Sequence, residues 1–303
     1  MELEEKLKWE KEVCGIDRYH AAGYFGQGMT IMIHESGTGH ALMSKEIIQS
    51  IAPKAAIIEA RVSSKSNSKQ LISYVWEIDG VKYSFEEAME KYKPDIISVS
   101  FIGTECEERD MLLEKYIERG DFILCNATGN EGGTGVKGMY RNVALNIGAC
   151  TFMNGSKADI QLMGYSGRDK DALNVDYVGF LSSGSGTSAA CPFVASVIAL
   201  FMSRFGKVSQ KEFQELIKPY CMDLGKNGID CEYGDGLIVL PEVFEKDSGY
   251  TDVKGHYAED AIKWGSDKGL INGFPDGSFR PDEPITRGQL MVVLKRYDER
   301  RTE

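Results

Sequence analysis

Short apolar runs alternate with helical segments between residues 29 and 129, and this alternation limits the possible folds more than any other feature. MTIMIHE (29–35), AAIIEARV (55–62), DIISVSFIG (95–103) and FILCNATG (122–129) are continuous enough in apolar side chains to be buried on both faces. Between them, ALMSKEIIQSI and residues 107–119 show helical spacing, the latter with Leu112, Leu113, Tyr116 and Ile117 on one side. Strands buried on both faces and joined through helices form a mostly parallel sheet flanked by helices, an α/β architecture. Local signals agree. Ser84 with Glu87, and Ser209 with Glu212, are capping boxes; Gly120 stops a helix; Asp79-Gly80 centres a hairpin in WEIDGVKYS. Residues 1–28 read as helix and loop, 63–70 as an exposed loop, and 140–184 as short strands and turns. A long apolar helix begins near Thr187, and YGDGLIVLPEV (233–243) closes the core. Residues 249–297 carry a pattern of their own, so the expected domains are 1–245 and 249–299, the second small and mainly helical.

Hydrophobic residues make up 42% of the 303, enough for a proper core. A net charge of −11 repels phosphate backbones and anionic lipid, which argues against nucleic-acid and membrane partners. The seven cysteines include no CxxC pair and several sit in apolar runs, so they read as reduced, buried, small hydrophobes rather than zinc ligands. No metal or cofactor is expected. The first residues, MELEEKLKWEKEV, are too charged for a signal peptide, and no run reaches membrane-spanning length. The expected location is therefore the cytoplasm, with the cell envelope reached only after release.

Three segments place polar residues where strands end or helices begin, the positions at which reactive groups collect in open α/β sheets. In GTSAACPF (186–193), Ser188 opens the long apolar helix, whose free N–H groups favour developing negative charge. Thr187 or Ser188 equally suits a plain N-cap. In ATGNEGG (127–133), Asn130 follows a buried strand among glycines and offers an amide donor, or simply makes a turn. In IMIHESGTGH (31–40), the carboxylate of Glu35 precedes the imidazole of His40 by five residues, an acid beside a base. The same segment imitates a dinucleotide-binding turn, Gly37-Thr38-Gly39, with Glu59 at the end of the next strand, although Leu42 stands where a small third residue belongs.

Taken in order, these motifs resemble the subtilisin (subtilase) family of serine peptidases over residues 9–243. GQGMTIMIHESG resembles the family's strand ending in its triad aspartate, ATGNEGG its oxyanion segment, GTSAACPFVAS its nucleophile motif and DIISVSFIG its substrate-lining strand. The resemblance implies an endopeptidase with Ser188 as nucleophile, His40 as general base, Glu35 in the place of aspartate and Asn130 as oxyanion donor. It also implies that an extended protein or peptide substrate lies against Ser100, Phe101, Ile102, Gly103 and Gly129. Two departures accompany it. Glutamate is one methylene longer than aspartate, and the family's His-Gly-Thr-His is shortened to GTGHALMS. His34 is the fallback base, but strand alternation sends it to the side opposite Glu35. The alternative is a catalytically inactive member that binds or scaffolds.

Residues 250–297 resemble one S-layer-homology repeat, with Ala261, Ile262 and Trp264 on an amphipathic helix, then FPDGSFRP and ITRGQL. The resemblance implies binding of anionic cell-wall polysaccharide through Arg287, whose forked donors suit carboxylates. Gly288-Gln289 replaces the usual Ala-Glu, and self-association through residues 249–299 is the other reading.

Overall fold

A computed structural model describes residues 3–35, 38–62, 76–103, 106–243 and 250–299. The exposed loop expected at 63–70 lies outside the described residues. Two compact units partition the chain, Met1–Leu240 and Pro241–Glu303.

The first unit opens with helices α1 (Leu3–Val13) and α2 (Ile16–Ala21). Strand β1 (Thr30–Glu35) leads through helix α3 (Thr38–Ile51) to β2 (Ala56–Val62). The hairpin β3 (Trp76–Ile78) and β4 (Val81–Tyr83) turns on Asp79 and Gly80, both at positive φ, the geometry that Asp-Gly favours. Helix α4 (Phe85–Tyr92) starts at the Ser84–Glu87 capping box, and β5 (Ile96–Val99) follows. Helix α5 (Glu107–Glu118) ends where Gly120, at φ 75°, lets Asp121 N–H reach Tyr116 O. Then come β6 (Ile123–Ala127), β7 (Leu145–Phe152), β8 (Ile160–Leu162), β9 (Tyr177–Phe180), helix α6 (Thr187–Phe205), helix α7 (Gln210–Ile217), capped by Ser209, β10 (Cys221–Met222) and β11 (Leu237–Ile238).

The strands form one sheet, ordered β10-β11-β9-β7-β6-β5-β1-β2-β3-β4, with β8 paired to β7. From β11 to β2 every neighbouring pair along this order is parallel; antiparallel pairing occurs at the two ends of the sheet and where β8 joins β7. The chain runs from β1 outward to β2, then returns to lay β5 on the other side of β1. That reversal opens a crevice at the carboxyl ends of β1 and β5. Glu35 is the last residue of β1, and Ser100 directly follows β5.

Helix α6 is the core helix. Contrary to the expectation that no run reaches membrane-spanning length, Thr187–Phe205 is long and apolar enough to cross a membrane, yet nearly all of it is buried against the sheet and α3, as a core helix is. Cys14, Cys125, Cys150 and Cys191 are buried as expected, whereas Cys106, Cys221 and Cys231 are only half-buried.

The second unit contains α8 (Glu259–Asp267) and α9 (Arg287–Glu299). Its small core includes Val253, Ile262 and Leu270. Of the three residues named on this amphipathic helix, only Ile262 is buried. Ala261 and Trp264 are exposed, because α8 turns Ile262 and Gly265 inward instead. The Asp252 carboxylate accepts N–H bonds from Phe279 and Arg280 and so closes the loop ahead of α9.

Candidate active site

The end of β1 and the first turn of α3 bring Glu35 and His40 together. Glu35 Oε2 lies 3.7 Å from His40 Nδ1, with Glu35 1% and His40 55% exposed. Ser44, one turn beyond His40 on α3, donates to Glu35 Oε1 at 3.3 Å. Glu35 Oε2 has no hydrogen-bond partner among the described residues. Burial pushes the Glu35 carboxyl up to about 7, while the Ser100 and Ser44 hydroxyls pull it partly back. A carboxylic acid in this setting is neutral in mild acid and charged in mild base.

His34 goes elsewhere. It is fully buried on the other face of the sheet, stacked on Trp76 at 3.7 Å, with Nε2 3.0 Å from Tyr140 Oη. Desolvation lowers its pKa to about 3, so it stays neutral. Strand alternation had assigned it to that side.

Ser188 is the second residue of α6. Gly186, at φ 72°, turns the chain into the helix. In the first turn, Thr187 N–H donates to Asn130 Oδ1 at 2.9 Å and Ala189 N–H to Gly186 O at 3.0 Å. The Ser188 N–H is left without an acceptor among the described residues, as helix geometry allows at this position. Asn130 Oδ1 also accepts from Thr187 Oγ1, so the amide is oriented with its NH₂ outward on an exposed loop. Gly129, at φ 99°, donates its N–H to Thr187 Oγ1 at 3.1 Å. The asparagine loop and the serine turn are therefore stitched together through Thr187.

Tyr165 adds a second stitch. Its hydroxyl accepts from Gly186 N–H at 3.2 Å, and its carbonyl accepts from Gly132 N–H at 2.8 Å. Sequence reasoning missed Tyr165, since MGYSGRD has no spacing that points to either partner. It missed Ser44 as well, though the i,i+4 relation to His40 was readable.

Ser100 and Ser188 bind each other reciprocally. Ser188 Oγ donates to Ser100 O at 3.3 Å, and Ser100 Oγ donates to Ser188 O at 3.1 Å. No hydrogen bond joins Ser188 to His40 among the described residues; the serine hydroxyl is parked on the strand instead. The helices carrying the two are nonetheless packed together. Met43, three residues after His40, has its sulfur 2.7 Å from where a Cβ on Gly184 would sit, in the turn leading to Ser188.

Residues 100–103 divide by alternation. Phe101 O accepts from Met139 N–H and Gly103 N–H donates to Lys137 O, each at 3.2 Å, so both face a buttress formed by 137–139. Arg141 further engages Gly103 O at 2.9 Å. Ile102, bridged to Gly138 and exposed, turns its own N–H and C=O the other way, without partners among the described residues. Within 100–103 the backbone groups left open among the described residues are those of Ile102, with Gly129 across from them: a Cβ on Gly129 would lie 3.6 Å from Ile102 Cγ2.

The rival nucleotide reading placed Glu59 at the end of the strand after the glycines, but Glu59 stands in the middle of β2. Glu59 is paired with Lys45 at 2.9 Å, and Gly37 lies outside the described residues. No group of His, Cys, Asp and Glu suited to a metal ion occurs among the described residues.

Comparison with known proteins gives the same frame. Residues 28–236 match the family model described as the subtilase family. The chain belongs to the subtilase family. Residues 249–291 match the S-layer homology domain. An intracellular serine protease from Paenibacillus polymyxa is 30% identical over 232 residues, covering 70% of this chain and 66% of that protein. A thermostable alkaline protease from Halalkalibacterium halodurans is 27% identical over 210 residues, covering 68% and 55%. The subtilase chain described here therefore spans between 55% and 66% of the length of these relatives. Fervidolysin from Fervidobacterium pennivorans, a keratinolytic enzyme related to subtilisin, shares the fold at TM-score 0.56 and 14% identity, over 76% of this chain and 44% of that one.

In the second unit, the replacement at 289 completes a cap. Gln289 N–H donates to Thr286 Oγ1 at 3.1 Å, and Thr286 N–H donates to Gln289 Oε1 at 2.9 Å. Arg287, exposed on the first turn of α9, makes no hydrogen bond or ion pair among the described residues.

Proposed function

We propose that this subtilase is a serine endopeptidase acting through Ser188, His40 and Glu35. The observation that carries this reading is a pair of donors unengaged among the described residues: the Ser188 N–H at the start of α6, and the Asn130 NH₂ on the loop that Thr187 ties to that turn. Donors held in place before charge develops are what acyl transfer needs. A peptide adds as a strand to the Ile102 edge, presenting a carbonyl to Ser188. The hydroxyl leaves Ser100 O and gives its proton to His40, while Oγ bonds to the carbonyl carbon. The oxyanion receives hydrogen bonds from Ser188 N–H and Asn130 Nδ2. His40 then protonates the leaving amine, and water, deprotonated by His40, releases the acyl group. Glu35 orients the imidazole and stabilises its charged form.

The experiment is labelling with a fluorophosphonate probe together with cleavage of casein or a peptide library. Wild type is expected to label and cleave, and Ser188→Ala to do neither. Equal labelling of both proteins removes the assignment.

One observation favours a second reading, an inactive subtilase fold that binds partners: the Ser188 hydroxyl bonds to Ser100 rather than to His40. That reading requires no labelling and no cleavage by wild type.

For the second unit the proposed ligand is anionic cell-wall polysaccharide, met by the unengaged guanidinium of Arg287. Pelleting with purified walls, lost in Arg287→Ala, is the expected result. Wild type that stays in the supernatant ends this proposal and leaves self-association.

A further inference from the structure

The turn that delivers Ser188 is held from outside the site. Ser182 lies two residues beyond β9 at φ 48°, a conformation that a non-glycine residue keeps only when its neighbours hold it. All its polar groups are claimed by α1. Its N–H donates to Glu10 Oε1 at 3.2 Å, its Oγ to Glu10 Oε2 at 3.1 Å, and its carbonyl accepts from Lys6 Nζ at 3.3 Å. Lys6 Nζ in turn lies 3.6 Å from Glu10 Oε1, and Glu10 is buried. The helix is seated there independently: Trp9 meets Phe152 edge-on at 5.5 Å, and Phe152 stacks on Phe180, the last residue of β9.

A buried, hydrogen-bonded carboxylate adds little stability over an apolar replacement, and its best-attested use is to set register. Here the register is that of the nucleophile. Only Ser183, Gly184 and Ser185 separate Ser182 from Gly186, the residue that caps α6. Gly184 N–H closes the turn on Leu181 O at 2.8 Å, and a Cβ on Gly184 would lie 2.7 Å from Met43 Sδ of α3 and 2.8 Å from Ala189 Cβ of α6, so the turn has no room to shift that way. A displacement at Ser182 is passed to Gly186, and from there to the Ser188 N–H and Oγ.

We propose that Glu10, assisted by Lys6, is a positioning residue for the nucleophile: it touches no substrate, but clamps Ser182 and thereby the turn that presents Ser188. This inference rests on the reading of Ser188 as nucleophile.

The test measures fluorophosphonate labelling rate, kcat and KM on a peptide substrate, and amide hydrogen exchange of residues 183–188, in the full chain. Glu10→Ala is expected to lower labelling rate and kcat about 10- to 100-fold with KM within about twofold, and to speed exchange across 183–188. Glu10→Gln, which keeps an acceptor oxygen for the Ser182 N–H, is expected to recover most of both. Should Glu10→Ala fail to fold, Ser182→Ala removes only the hydroxyl arm and is expected to give the same pattern, about threefold or more in kcat. The proposal is overturned if folded Glu10→Ala labels and turns over within about twofold of wild type. It is equally overturned if active-site titration assigns the whole loss to unfolded molecules. Wild type that neither labels nor cleaves would instead remove the peptidase reading. Exchange at 183–188 would then decide whether Glu10 holds the turn.

Discussion

Glu35 and His40 face one another with 3.7 Å between Oε2 and Nδ1, a separation longer than a hydrogen bond. The carboxylate is buried and the imidazole is half in solvent, so on the proposed mechanism the pair is expected to tighten when a substrate excludes water and the imidazole becomes charged.

The Glu35 carboxyl, raised to about 7, makes both activity and stability pH-dependent, with opposite signs. Orientation of the imidazolium needs the ionised acid, so kcat/KM is expected to climb as pH rises through about 7 and to lose that inflection in Glu35→Gln. Stability runs the other way. A folded state that holds this proton more tightly than the unfolded chain is favoured below the ordinary carboxyl range near 4.5, and that advantage is lost as pH rises through about 7. The full contribution is about 3 kcal/mol. Urea unfolding at several pH values between 4 and 8 checks it: Glu35→Gln is expected to flatten the slope.

Asn130 has two separable roles. Asn130→Ala removes both the outward NH₂ and the oxygen that binds Thr187 N–H. Asn130→Asp keeps the oxygen and loses only the donor. Both variants are expected to lose about 10²- to 10³-fold in kcat. Only Asn130→Ala is expected also to lower the melting temperature. An aspartate variant with wild-type kcat would deny the amide its oxyanion role.

The two histidines of segment 31–40 are expected to behave oppositely on truncation. His34→Ala removes a ring stacked on Trp76 and bonded to Tyr140, and is expected to destabilise the fold by about 2–4 kcal/mol. Its molecules that remain folded keep wild-type kcat. His40→Ala, at a half-exposed position, is expected to leave the melting temperature nearly unchanged and to abolish labelling by fluorophosphonate. Because burial lowers the His34 pKa to about 3, its contribution to stability is present above the ordinary histidine value and is lost as pH falls toward 3.

Gly138 sits opposite Ile102 with no room behind it. A Cβ there would lie 1.9 Å from Asn126 Nδ2 and 2.2 Å from Ala127 O. Gly138→Ala is expected to cost about 2 kcal/mol or more and, by displacing the buttress of residues 101–103, to raise KM. Gly133→Ala, which meets only Lys170 Cε at 3.9 Å, is the control expected to change neither.

Much of this was legible from sequence because local and long-range signals agree. The capping boxes at Ser84 and Ser209, the Asp79-Gly80 hairpin and the stop at Gly120 all appear where short-range chemistry places them. The turn at Ser188 was legible only in company with the segments around Glu35 and Asn130, because a serine just inside a long apolar helix equally suits a plain N-cap. Sequence named an amphipathic helix at α8 but not which side is buried, because apolar spacing names candidates and the packing partner chooses among them.

Residue order alone decided that apolar strands and helices alternate, and hence that the sheet is parallel and its reactive ends lie together. It also decided which residue types stand at those ends. Order could not decide that Ser188 rests on Ser100, that Tyr165 and Thr187 stitch the two loops, or that Glu10, 172 positions away, clamps Ser182. Those contacts join segments distant in the chain, and their geometry is set only when every layer of the core has been packed.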